Sequence, residues 1–330
     1  MTPQNSDMQV RLHTFGTLAC MVVLLLCASS CAAFAAVAQP SRSLYVGAGF
    51  SSGDGLSADR PLGSINAALQ KARKGDVIVV APGEYRESIR VSTAGLTILG
   101  SAPGEDAPQV VIAAPAGKPG PVLADSADTV WRGIAFRIGD SAAINLRGFA
   151  GRFEFCHFTS ESPVPGIEVY GGDFVFQGCT FSGGAEPTAM LALNGQAGRK
   201  SRVTLAYCLF RDNPGGAVLL RGEQDVRFVN CLFASCRFVA MRQAGVGAQI
   251  SAINSVFFLS PEPSLFLQSA AAPKARLENC LYAPAPGDFM KWQARPLDQQ
   301  PEVTAVNCIT ASPRFVRAQC LDKPLRGRHR

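Results

Sequence analysis

Histidine is almost missing from this chain. Three occur in 330 residues, and their places matter more than their number. His13 stands in an N-terminal segment that reads as removable, His329 in a basic tail, and His157 beside Cys156 at a turn. No Ser/His/Asp arrangement can be assembled from them. No phosphate-binding glycine loop is present either. Carboxylates are scattered: Asp125, Asp128 and Asp140 fall near early turns, where Asp serves the backbone. Charge is scarce as well. The net charge of +6 falls to near neutrality once the net +5 carried from Arg314 to Arg330 is set aside. A neutral body has no electrostatic reason to seek nucleic acid. After the N-terminal segment, no stretch is apolar enough for long enough to span a bilayer.

What the chain has in quantity is repetition. An apolar run, often Asn, then Cys, one residue and an aromatic recurs with a period of roughly 22 to 29 residues, the signature of a solenoid. One such unit cannot bury its own apolar face, so units must stack, with strands about 4.8 Å apart. Equivalent residues then form columns. Cys156, Cys179, Cys208, Cys231, Cys280 and Cys308 form one, with Ser255 as its break. Asn230, Asn254, Asn279 and Asn307 form a second, because Asn tolerates a left-handed turn. Phe158, Phe181, Phe210, Phe233, Phe257 and Tyr282 form an aromatic stack. One thiol per coil does not converge on a metal, and coil-to-coil disulfides are geometrically tight, so the column reads as buried free thiols.

The ends read differently. Arg11, the apolar run Leu18 to Cys27 and Ala36-Val37-Ala38 describe a signal peptide over residues 1–38. Cys31 leaves a lipoprotein alternative open, and an uncleaved anchor is a third. Export places the protein outside the cell, or in the periplasm or envelope. Residues 39–317 read as a single repeat domain and 318–330 as a basic, solvated tail. Within the domain, Ser64 to Lys74 is the one helix: Ser64 caps it, Gly75 ends it, and Ile65, Ala68, Leu69 and Ala72 share a face. A solenoid needs its open end covered, so this helix is expected as an N-terminal cap.

The segment Gly75-Asp-Val-Ile-Val followed by Pro82-Gly-Glu-Tyr-Arg-Glu87 resembles the start of pectin-lyase-like right-handed parallel β-helices. It is similar to exported β-helix repeat proteins and to the N-terminal part of family-nine polysaccharide lyases. Leu96 to Gly100, Thr129 to Phe136 and Ser312 to Val316 continue the likeness. The resemblance implies an all-β right-handed parallel β-helix, a three-sheet solenoid whose third sheet commonly faces the ligand. Its strands would be 143–147, 166–170, 190–194, 217–221, 238–242, 264–268 and 289–293. Alternation then turns Ile144, Leu146, Ile167, Val169, Leu191, Leu193, Val218, Leu220, Val239, Met241, Leu265 and Leu267 inward. Arg147, Tyr170, Asn194, Arg221, Arg242 and Gln268 form one outward column, and Asn145, Glu168, Ala192, Leu219, Ala240 and Phe266 a second, blander one.

The resemblance also implies two functions. One is a non-catalytic or uncharacterised exported β-helix that binds polysaccharide, acidic polysaccharide included, through the first outward column. The other is a pectate-lyase-like enzyme cleaving an acidic glycan by β-elimination, with Ca²⁺ and an Arg base, for which Arg221 and Arg242 are the candidates. Ca²⁺ needs several oxygens at one point, and this face offers Glu168 without an Asp cluster. Glycoside hydrolysis needs two carboxylates at a fixed separation, which the face also lacks. The expectation is therefore a binding protein with no cofactor and no metal, a monomer, with polysaccharide as its partner.

Overall fold

The computed structural model describes residues 41–50, 53–100, 108–113, 115, 122–124, 128–139, 143–147, 150–161, 164–184, 188–194, 201–222, 224–238, 240–243, 249–258, 265–268, 274–282, 290–293 and 302–310. The signal segment, the basic tail, Asp125, Asp140 and Cys320 lie outside them. From Arg42 onward the chain is one compact unit.

The strands pair in parallel, each with its counterpart one coil on, in three sheets of eleven, ten and nine strands. Each coil visits the first, second and third sheet in turn, as in Val77–Val80, Gly83–Arg86 and Ile89–Val91 before the first sheet resumes at Thr97–Leu99. Period-two alternation inside short strands puts every second residue in the interior. Ile144, Leu146, Ile167, Val169, Leu191, Leu193, Val218 and Leu220 are all fully buried there.

The aromatic column is a continuous stack. Ring centroids from Phe136 through Phe158, Phe181, Phe210, Phe233 and Phe257 lie 5.1, 5.0, 4.4, 4.9 and 5.2 Å apart. A second stack, Trp131, Phe153 and Phe176, packs against it edge to face. Offset and edge-on rings satisfy the aromatic quadrupole, so the two stacks lock each other's registry. Beside them runs the cysteine column, buried and free at Cys156, Cys179, Cys208, Cys231 and Cys280 and partly buried at Cys308. The buried thiols of the column each reach a carbonyl of the preceding coil: Cys156 to Trp131 at 3.6 Å, Cys179 to Phe153, Cys208 to Phe176 and Cys280 to Ala252 at 3.4 Å, and Cys231 to Leu205 at 3.3 Å. Ser255 takes the place of a thiol, its hydroxyl donating to Ile253 in its own coil and accepting from the Cys231 amide of the preceding one. Burial raises the Cys179 and Cys280 thiols, and contact with Cys208 together with burial raises Cys231. Burial thus keeps the Cys179, Cys231 and Cys280 thiols protonated and inert.

The helix runs Ile65–Lys71 and packs on the first strands of the first and third sheets, with Ile65 and Ala68 buried in the main core. Ser64 accepts from the Ala67 amide as expected. The Glu87 carboxylate takes the Ile65 and Asn66 amides at 2.9 and 3.0 Å, a cap formed across the chain. The helix stops short of Lys74. Arg42 takes the Lys71 carbonyl, the Asp76 carboxylate takes the Arg73 amide, and Ala72 is extended. Gly75, at φ +87, belongs to the turn that follows.

One part of the third sheet differs from expectation. Strand Ala240–Gln243 pairs Val218 with Ala240, Leu219 with Met241, Leu220 with Arg242 and Arg221 with Gln243. The next coil agrees, pairing Arg242 with Leu267 and Gln243 with Gln268. Met241 thus stands in register with Leu219 and Phe266, and Val239 lies outside the described residues. A slip of one residue exchanges the two faces. Phe238, Val239, Ala240 and Met241 are four apolar residues in a row, so alternation could not choose the frame.

Candidate functional site

The outer face of the third sheet carries the polar column. Backbone pairing sets Asn194 opposite Arg221, and the preceding coils run in the same register through Glu168 opposite Asn145 and Ala192. The side chains are linked from coil to coil. The Arg147 guanidinium sits 4.8 Å from the centre of the Tyr170 ring. The Tyr170 hydroxyl donates to Glu168 at 3.0 Å, and Asn194 Nδ2 donates to the other Glu168 oxygen at 3.5 Å. Arg221 donates to Asn194 Oδ1 at 3.3 Å, which closes the chain of contacts. Burial raises the Tyr170 hydroxyl, and its bond to Glu168 raises it further, so the ring stays a neutral donor.

Arg147, Tyr170, Asn194 and Arg221 therefore come together, joined by Glu168 from the neighbouring column. Gln268 stands in the same register column farther along the stack. Arg242 does not: Gln243 holds the position opposite Arg221 and Arg242 falls in register with Leu220 and Leu267. Arg242 thus leaves the outward column it was expected to share with Arg221, and Arg147 and Arg221 stand at either end of the linked group. Glu168 escaped the sequence reading as a member because its column looked bland. The available signal was its i, i+2 spacing to Tyr170 on one strand face.

The bland column is a wall. Ala192 and Leu219 face outward yet are buried, in a satellite cluster with Ala189 and Phe238. Gly216 makes room for it: a Cβ there would lie 2.3 Å from the Phe238 ring, and φ at +103 suits glycine alone. The polar ladder itself carries two guanidiniums against one carboxylate.

Among the described residues no group of three or more His, Cys, Asp and Glu side chains could hold a metal ion. Asp128 is a turn residue, left-handed at φ +59, with its amide donating to Ala150. His157 is partly buried, and burial, then the nearby Arg211, lowers its pKa.

No curated protein matches this chain. Residues 124–261 match the family model for the right handed beta helix region, which together with the three parallel sheets establishes the chain as a right-handed parallel β-helix.

Proposed function

We propose that this is an exported, non-catalytic β-helix that binds acidic polysaccharide along the third sheet. The observation that carries the reading is the linked ladder Arg147, Tyr170, Glu168, Asn194 and Arg221. It spans four coils, about 14 Å at the strand spacing, enough for about three sugar residues laid along the stack. Guanidinium forks match carboxylates, and Tyr170 offers a ring with a polar tip. The likeness to pectin-lyase-like β-helices supports a glycan as the ligand, and fold alone does not decide between binding and cleavage.

Of the two arginines offered as the base in the lyase alternative, Arg221 keeps its place in the outward column. It requires Ca²⁺ ligands, and Glu168 already accepts from Tyr170 and Asn194. An ultraviolet assay for unsaturated products across polyuronates, with and without Ca²⁺, separates the two readings. For binding, the test is Arg147→Glu with Arg221→Glu, set against truncation after Phe315. The double reversal is expected to abolish polyuronate affinity and leave melting nearly unchanged, since surface changes cost little. Loss on truncation alone assigns binding to the basic tail and overturns the site. Turnover of any polyuronate overturns the non-catalytic reading.

A further inference from the structure

The corner between the first and second sheets is made in successive coils by one left-handed residue. Asn230, Asn254, Asn279 and Asn307 hold φ of 50 to 53, and Gly133 and Gly178 hold 64 and 63. Asn and Gly are the residues that enter this region at least cost. Two coils break the rule. Phe155 at φ 53 and Tyr207 at φ 56 occupy the same corner, immediately before Cys156 and Cys208. A bulky side chain in this region is an outlier that costs stability. Packing does not repay it, because Phe155 is 44% exposed and Tyr207 is 65% exposed.

Between them lies Gly178, and its lack of a side chain is used. A Cβ at Gly178 would stand 2.8 Å from the Phe155 ring, so the ring leans across that coil. The backbone positions of the two aromatics are two coils apart, about 10 Å, and the Phe155 ring extends into the coil between them. Gln177, on the strand just before this corner, and Thr180 and His157, on the strands just after it, are only partly buried. They are amides, hydroxyls and imidazole, which offer donors and acceptors at the margin of a flat apolar surface. Glu154 is engaged by Arg132 and Arg152 and contributes no free carboxylate.

We propose that Phe155, Gly178 and Tyr207 form a stacking platform for an uncharged glycan, separate from the charged ladder of the third sheet. Two exposed rings on one corner, with amide, hydroxyl and imidazole groups beside them and the neighbouring Glu154 charge already paired, fit the apolar face and equatorial hydroxyls of a pyranose chain. The strain held at both aromatics is the cost of presenting them.

The test is calorimetry with cellohexaose on the full chain, with a polyuronate hexamer as the charged counterpart. Cellohexaose is expected to bind with little dependence on salt. Phe155→Asn with Tyr207→Asn should weaken it by about tenfold, with Tm unchanged or raised, because Asn suits the corner. Gly178→Asn keeps a residue suited to the left-handed turn, displaces the Phe155 ring and should weaken binding as well. Arg147→Glu with Arg221→Glu should leave cellohexaose untouched, so this proposal and the polyuronate reading fail separately. The platform is overturned if cellohexaose does not bind or if the corner variants bind it as the parent does. It is equally overturned if those variants instead dissolve a dimer seen by sedimentation, which would assign the rings to a second copy of the chain.

Discussion

Two stretches of one corner have the same backbone and opposite chemistry. From Asn230 to Asn307 every described corner residue is an Asn in the left-handed region, and Asn279 donates to Asn254 Oδ1 at 3.2 Å across the coils. From Phe155 to Tyr207 the same φ is held by two exposed aromatics with a glycine between them. The Asn stretch uses the residue the turn prefers, and its side chains bond one another. The aromatic stretch accepts strain and gains no burial. Stability accounts for the first arrangement; presentation of a surface accounts for the second.

The largest expected effect tests what both stretches rest on. Phe210 is fully buried between Phe181 and Phe233, so Phe210→Ala should cost about 3 to 5 kcal/mol in urea unfolding. A cost below 1 kcal/mol would mean that the aromatic column does not hold the coils in register. Next comes the direct exchange at the corner. Asn254→Phe should cost about 1 to 2 kcal/mol, from backbone strain and the lost Asn279 bond. Phe155→Asn should instead gain about 1 kcal/mol. If both substitutions destabilise equally, the comparison fails, because Phe155 would then be a packing residue.

The thiols sharpen the same point from inside. In the native protein Cys156, Cys179, Cys208, Cys231, Cys236 and Cys280 should resist alkylation, with Cys308 reacting first. Burial holds Cys236 up at about 12, so alkaline buffer short of unfolding should not release it. Mass mapping that finds any of the six modified in the folded state breaks the picture of a closed interior.

A smaller effect belongs to His157. Its folded pKa lies below the ordinary 6.5, so the unfolded chain binds more protons once pH falls under that value. Stability should be full above about 6.5 and decline as pH drops toward the folded pKa. Asp76, lowered by its bonds to the Arg73 amide and Arg42 against the opposing effect of burial, acts only in the more acidic carboxylate range. His157→Asn should flatten the decline that begins below about pH 6.5 while leaving the acid limb in place. An unchanged profile in the variant would assign the decline to another group.

Much of this was legible in the sequence, for identifiable reasons. The corner announces itself because left-handed backbone selects Asn and Gly, and the column cysteines mark the next position in each coil. Interior columns could be listed because polar residues alternate with apolar ones. The frame of strand Ala240–Gln243 could not be read, since four consecutive apolar residues carry no alternation. Nor could the Glu87 cap, which joins residues more than twenty apart at a helix end that Ser64 already satisfied in part. Phe155 and Tyr207 were readable in principle: each stands immediately before a column cysteine, where Asn or Gly stands in other coils. The strand motif drew attention to the buried aromatic after the cysteine and away from the exposed one before it. The ladder's members were mostly visible, but its central carboxylate emerged only when Tyr170 and Asn194 were seen to converge on Glu168.

The central claim is that the third-sheet ladder reads the charge of an acidic glycan, and opposite substitutions within it test this most directly. Glu168→Gln removes the only carboxylate of the linked group, and Arg221→Gln removes one of its two guanidiniums. Polyuronate affinity measured by calorimetry at low salt should rise several-fold in the first and fall several-fold in the second, both differences shrinking at high salt. Equal affinities, or a change in the same direction in both variants, would contradict the account.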